Sequence, residues 1–184
     1  MVNLHYAAIA SLDGYVADNN GNFDWAMPDT EVHAFVNDLE RDVGTYLYGR
    51  RMYETMAGWE SMDGLESSPV ADDFGRIWRG ADKVVYSTTL PEPTTPRTRL
   101  ERTFDPDAVR AIKMSAAQDI SIGGSTLAAQ AIAAGLVDEC HLFLCPISVG
   151  GGLRALPANV RLDLHLLAEK TFDGGVIYVR YRLG

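Results

Sequence analysis

Short apolar runs alternate with helical stripes along most of this chain, and that alternation constrains its fold more than any other feature. Residues 2–10, 45–48, 83–87, 119–122 and 139–146 read as strands. Between them, Pro28 and Asp29 open a helix whose apolar stripe is Val32, Phe35, Val36, Leu39 and Val43, with Gly44 as its stop. Gly49 begins a shorter helical piece that runs through Met52 and Met56 to Gly58. Ser68-Pro69 reads as a cap and first helical position, burying Val70, Phe74, Ile77 and Trp78. Asp105-Pro106 opens another helix, with Val109, Ile112 and Ala116 inward, and Ser125 starts the last, which stops at Gly135. Strands separated by helices need crossover connections and therefore pair in parallel. The C-terminus breaks the pattern: Asp173-Gly174-Gly175 is a hairpin signal, with Ile177, Val179 and Tyr181 alternating against Tyr178 and Arg180. The expected fold is α/β, a mixed sheet that is mainly parallel with an antiparallel C-terminal hairpin and helices on both faces. The proline-rich stretch 91–96 reads as loop. No repeat or linker divides the chain, so residues 1–184 are expected to form one domain.

A net charge of -9 and a pI near 4.8 argue against broad binding to nucleic acid or anionic membrane, which needs a basic face. No N-terminal run resembles a signal peptide and no stretch is long enough to cross a bilayer, which points to the cytoplasm. Cys140 and Cys145 lie in one strand at an odd separation, so their side chains point to opposite faces and do not pair. Neither they nor the four histidines show metal-ligand spacing, and no metal site is expected.

Ligands on such sheets gather beyond the carboxyl ends of the parallel strands. Here those ends read as Ala17, Gly49-Arg50-Arg51, Ser87-Thr88-Thr89 and Gly123-Gly124. The run Asp119-Ile120-Ser121-Ile122-Gly123-Gly124-Ser125-Thr126-Leu127 passes from strand to helix through two residues without Cβ atoms. Bare backbone and the free N–H groups of a helix start suit a phosphate, although two glycines also permit a plain tight turn. Arg50 and Arg51 stand at another helix start, where guanidinium groups bind phosphate in a planar fork or lie solvated. Two anion sites on one edge fit a dinucleotide, and an arginine near the ribose favours the 2′-phosphorylated form. Asp13, Asp29 and Glu31 are the candidate catalytic carboxylates. Each has a structural alternative: a turn for Asp13, a helix cap for Asp29 and a dipole-complementing acid for Glu31. His33 reads as solvated, and Trp59, Trp78, Met52 and Met56 as packing residues. No Gly-x-x-x-x-Gly-Lys-Ser/Thr loop is present, which disfavours phosphoryl transfer.

The order Ala-x-Ser-Leu-Asp-Gly, Leu-Tyr-Gly-Arg-Arg-Met-Tyr-Glu, Val-Val-Tyr-Ser-Thr-Thr-Leu, Ile-Gly-Gly-Ser-Thr-Leu, Ala-Gly-Leu-Val-Asp-Glu and Pro-Ile-Ser-Val-Gly-Gly-Gly resembles the dihydrofolate reductase-like superfamily. It is most similar to the C-terminal reductase domain of the riboflavin-pathway bifunctional deaminase-reductase, over nearly the whole chain. The resemblance implies an NADPH-dependent reductase that passes hydride to a pyrimidine- or pterin-like heterocycle, as a homodimer. The alternative is a non-catalytic NADP(H)-binding module, a sensor or scaffold. It implies a cis Gly123-Gly124 peptide cradling the cofactor pyrophosphate, with Ile122, Ser125, Thr126 and Leu127 around it. Gly49, Arg50, Arg51, Ser87 and Thr88 would approach the adenosine 2′-phosphate. Ala7, Val16 and Ala17 would lie near the nicotinamide, together with Asp13. Trp25-Ala26-Met27-Pro28, followed by Asp29 and Glu31, resembles the Trp-x-x-Pro of dihydrofolate reductases, where an acidic residue holds the pterin. Two features of the riboflavin-pathway reductases are missing: a first-strand lysine, replaced by Ala7, and an Asp-Asn-Pro stretch. Both help hold a phosphoribosyl substrate there. The zinc deaminase half is absent too.

Overall fold

The computed structural model describes residues 2–61 and 68–184. An eight-stranded sheet runs in the order β5-β4-β3-β6-β1-β7-β10-β9. Its strands are β1 (Leu4–Ser11), β3 (Val43–Gly49), β4 (Asp82–Tyr86), β5 (Thr98–Glu101), β6 (Asp119–Gly123), β7 (Glu139–Cys145), β9 (Leu164–Thr171) and β10 (Ile177–Leu183). The six strands from β5 to β7 are parallel, and β10 is antiparallel to both β7 and β9. A separate two-stranded ribbon pairs β2 (Tyr15–Ala17) with β8 (Leu153–Arg154).

Five α-helices link the strands: α1 (Thr30–Glu40), α2 (Arg50–Met56), α3 (Pro69–Gly80), α4 (Pro106–Ser115) and α5 (Ser125–Ala133). The side chains of Asp29, Ser68 and Asp105 cap α1, α3 and α4, accepting from Val32, Ala71 and Asp107 N–H respectively. One sheet face, with Leu4, Tyr6, Leu47, Val84, Ile120 and Ile122, packs on α4 and α5 through Val109, Leu127, Ala128 and Ala131. The other face meets α3 through Tyr46, Tyr48, Val85, Phe74 and Trp78, and α1 through Phe143, Tyr178 and Val32. The expected two-faced mixed sheet is the observed one.

Several boundaries differ from those read in the sequence. Helix α1 stops at Glu40, so Val43 and Gly44 belong to β3, where a Cβ on Gly44 would meet Gln118 Cβ at 2.8 Å. β5 follows the proline loop directly and was not legible, because its Thr-Arg-Leu-Glu carries no apolar run. That loop is held by Tyr53, whose buried hydroxyl accepts from Thr94 and Thr95 N–H at 2.8 and 3.1 Å. Ala17 ends a ribbon strand, so the carboxyl end of the first parallel strand is Ser11. His33 is not solvated: its ring lies 5.8 Å from Trp59 and 5.7 Å from Phe74, and burial lowers its pKa. Cys140 and Cys145 are both buried free thiols. No helix among the described residues is long and apolar enough to cross a membrane.

Candidate active site

The centre of the sheet splits at its carboxyl edge. β1 pairs with β6 only from Leu4 to Tyr6, whereas its pairing with β7 continues to Ser11 opposite Cys145. Beyond Tyr6 and Ile122 the two central strands therefore have no ladder between them. Ala7, Ala8 and Ile9 on one side and Gly123 and Gly124 on the other are all partly exposed in mid-sheet. Small side chains line the split: two alanines and two glycines.

The diglycine does not behave as the resemblance implied. No peptide bond among the described residues is cis, so the Gly123-Gly124 bond is trans. A Cβ at Gly123 would come within 2.7 Å of Tyr48 Cε1 and 3.1 Å of Met52 Cγ. The bare Cα of this residue therefore admits the protein's own Tyr48 ring. Gly124 has φ +91°, a left-handed conformation that disfavours any side chain, and a Cβ there would sit 3.3 Å from Met52 Cβ. Its positive φ turns the chain from β6 straight into α5.

What remains open is the donor side. Helix α5 has Gly124 at its N-cap and no side-chain cap, so no side chain satisfies the N–H groups of its first turn. Ser125, the first helical residue, is only 6% exposed, and its hydroxyl has no hydrogen-bond partner. A buried hydroxyl without a partner is costly, as is a helix head without a cap, and an anion that reached both would relieve both costs. Thr126 is exposed, while Ile122 and Leu127 bury their side chains in the core and could meet a ligand only through backbone.

The second arginine-bearing edge is also assembled. Arg50 donates from Nη1 to Thr89 Oγ1 at 2.9 Å and from Nε to Glu54 Oε1 at 2.7 Å, linking the ends of β3 and β4. About half exposed, its guanidinium keeps further N–H donors for solvent or a phosphate. Arg51 is exposed, as is Thr88, and Gly49 is the N-cap of α2. Ser87 is buried, and its Oγ already accepts from Thr89 and Leu90 N–H at 3.2 and 2.9 Å. Arg102, which sequence reasoning missed, braces this turn by donating to the carbonyls of Ser87, Leu90 and Pro91.

The three carboxylates all hold backbone. Asp13 accepts from the Ser148 hydroxyl and from the N–H groups of Val149 and Gly150 at 2.9, 3.1 and 2.7 Å. With the Ser11 hydroxyl as the largest contributor, these bonds keep its carboxyl ionised well below the usual range. An Asp13 held as an anion is a clamp between two loops, unsuited to giving up a proton at neutral pH. The same two loops meet where a Cβ on Gly152 would overlap the Ala17 carbonyl, so Val16 and Ala17 lie under the glycine turn. Asp29 is the α1 cap. Glu31 accepts from Asp173 N–H at 3.2 Å and pairs with Lys170 at 3.3 Å, fastening α1 to the C-terminal hairpin.

Another depression, about 520 Å³, lies at the opposite ends of the strands and is lined in part by Arg41, Arg76 and Arg97. Asp73 pairs with the first two and Asp82 with the third, and none of the side chains lining it is a buried polar group without a partner. The carboxyl-edge split is the better candidate.

The RibD C-terminal domain family matches residues 2–178. An uncharacterized protein of Bacillus subtilis (strain 168), YyaP, is 25% identical over 93% of this chain and 89% of its own length. Among solved structures, a putative riboflavin biosynthesis protein from Shewanella sp. PV-4 superposes with a TM-score of 0.75 at 20% identity, covering 100% of this chain and 99% of that one. A pyrimidine reductase-like protein from Corynebacterium diphtheriae gives 0.69 at 17% identity, over 100% and 92% of the two chains. Acinetobacter baumannii RibD gives 0.74 at 16% identity, with this chain covering 58% of it.

Proposed function

The chain belongs to the RibD C-terminal domain family, and from that premise we propose that it is an NADPH-dependent reductase acting on a small pyrimidine- or pterin-like heterocycle. The observation that carries this reading is the split between β1 and β6, with the uncapped head of α5 directly after β6 and the buried Ser125 hydroxyl left without a partner. The solved relatives, among them a RibD and a pyrimidine reductase-like protein, support it.

The residues present fit the dinucleotide. The α5 head and Ser125 would take its pyrophosphate, since they join free N–H donors to a buried hydroxyl lacking a partner. Arg50, positioned by Glu54 and Thr89, would take the 2′-phosphate, with Thr88 beside it. Ala7, small and partly exposed, would leave room for a flat ring against strand β1. When bound, the cofactor supplies the hydride. The chain aligns the two faces between which it moves, and the Asp13 clamp holds the overlying loops in register.

A second reading, an NADP(H)-binding module without turnover, is favoured by one observation: Asp13, Asp29 and Glu31 are each committed to backbone bonds. Fluorescence titration with NADPH tests what the readings share, and absence of micromolar binding overturns both. Steady NADPH consumption with a pterin or pyrimidine substrate establishes the reductase. Binding without consumption across that panel leaves the module.

A further inference from the structure

The two sides of the split differ in charge. On the β6 side stand the α5 head and, at the ends of β3 and β4, Arg50, Arg51 and Thr89. The β1 side is built from residues 12–31 after β1, 146–150 after β7 and 172–176 between β9 and β10. No lysine or arginine occurs before Arg41, so residues 12–31 bring only carboxylates: Asp13, Asp18, Asp24, Asp29 and Glu31. Residues 146–150 carry no charge, and 172–176 add Asp173. Two cations answer these six acids: Lys170, 3.3 Å from Glu31, and Arg154, 5.6 Å over the Tyr15 ring. Hydrogen bonds hold Asp13 and Asp18 below the usual carboxylate range, led by the Ser11 hydroxyl for the first and Asn22 N–H for the second.

Apolar surface lies open among these carboxylates. Leu12 (65% exposed) follows β1 directly, and its N–H donates to the carbonyl of Ile147, just past β7, at 2.8 Å. Phe23 (46%) and Met27 (75%) flank a single 3-10 turn, Asp24–Ala26, which packs against β1. With Ile147 (37%) they make four of the ten large apolar side chains exposed among the described residues. Within the same turn the Trp25 indole N–H is buried and has no partner, a donor that a ring carbonyl or ring nitrogen would satisfy.

Charge and surface select the same guest. A phosphate about 10 Å from a net excess of four carboxylates is disfavoured by roughly tenfold in affinity, even after screening. A phenyl-sized substituent laid on the open side chains is favoured by about 10- to 100-fold. We propose that the substrate of this cleft is an uncharged ring bearing an apolar substituent, seated along residues 12, 23, 27 and 147, and that phosphate-bearing rings are rejected. The inference rests on the reductase reading of the cleft and adds the chemical class of its substrate.

Titration calorimetry of the NADPH-loaded chain tests it with two matched pairs of probes. They are 5-phenyluracil with uridine 5′-monophosphate, and 6-phenylpterin with 6-hydroxymethylpterin phosphate. At least one phenyl-bearing probe is expected to bind about tenfold or more tightly than its phosphate-bearing counterpart. Raising NaCl from about 0.05 to about 0.5 M should narrow that gap, because screening relieves only the repelled probe. Phe23→Ala combined with Met27→Ala should weaken the phenyl-bearing probe about tenfold with NADPH affinity unchanged, which separates a lost contact from a lost fold. Asp24→Lys, at an exposed position, should tighten only the phosphate-bearing probes. NADPH binding with equal or tighter binding of the phosphate-bearing probes overturns this proposal alone. So does NADPH binding with no response to either phenyl-bearing probe, or an unchanged phenyl affinity in the double variant. Absence of NADPH binding overturns the reductase reading and this proposal with it.

Discussion

Replacing Ser125 with alanine should make the empty protein more stable while making it bind NADPH less well, two effects of opposite sign from one atom. The residue is 94% buried, and its hydroxyl bonds to nothing. Removing it relieves an unsatisfied polar group, worth about 1–3 kcal/mol, and alanine gains a few tenths more as a helix former. A small void offsets part of this. A net gain of about 1 kcal/mol raises Tm by roughly 2–4 °C for a chain of this length. On the binding side, a hydroxyl donating to a diphosphate oxygen contributes about 1.5–3 kcal/mol, so NADPH affinity should fall about 10- to 100-fold. NADH should suffer equally, because the pyrophosphate is common to both. Differential scanning calorimetry of the ligand-free variant and a fluorescence titration measure the two effects on one preparation. A lowered Tm together with an unchanged Kd would refute the reasoning: the hydroxyl would then have an internal partner and no anion beside it. Gly124→Val is a poor substitute, since φ +91° strains any side chain before a ligand is considered.

Three further outcomes follow from the geometry. Arg50→Ala removes a charge-assisted phosphate contact, so NADPH affinity should drop about 10- to 100-fold while NADH is spared; equal losses in paired titrations would remove the 2′-phosphate assignment. Burial lowers the Lys83 ammonium to about 8 from 10.5, where it sits 4.0 Å over the Trp78 ring with no hydrogen-bond partner. Between those pH values the unfolded chain holds a proton that the folded one lacks, so stability should rise from pH 8 to 10.5. Lys83→Met should abolish that rise and add about 1–2 kcal/mol at pH 7, read from urea midpoints. Burial, with the neighbouring His5, also holds His141 near 4, well below 6.5. The unfolded chain gains this proton first on acidification, so stability should fall by about 2 kcal/mol as pH drops from 6.5 to 4. His141→Gln should flatten that limb, and an unchanged acid slope would show that other groups govern it.

The helix caps at Asp29, Ser68 and Asp105 and the closing hairpin were legible because each is written in neighbouring residues. So was the diglycine junction, as a place where strand becomes helix. What could not be read there was the reason for each glycine. Gly123 yields to Tyr48, a residue 75 positions earlier in the chain that stacks 5.4 Å from Tyr46. Local spacing carries no trace of such a neighbour. The carboxylates show the same limit: Asp13 is fixed by residues 148–150 and Glu31 by Lys170 and Asp173, partners more than 130 positions away. Glu40 is the clearest omission. A helical glutamate reads as solvated, yet it is 95% buried, with Oε1 3.3 Å from His5 Nε2. The sequence signal for the cleft was partial: Ala7 and Gly124 were singled out, but the parting of β1 from β6 is a property of register and needed coordinates.

That parting has a consequence for how the protein handles a guest. Past Tyr6, residues 7–9 have no β6 partner, so a guest with polar atoms along its edge would extend the ladder as well as fill the space. A planar ring with polar atoms along its rim and two greasy faces meets both demands. A bound ring would therefore prolong the seam between β1 and β6 past its last pair, Tyr6 and Ile122, and amide exchange across those strands should slow with it.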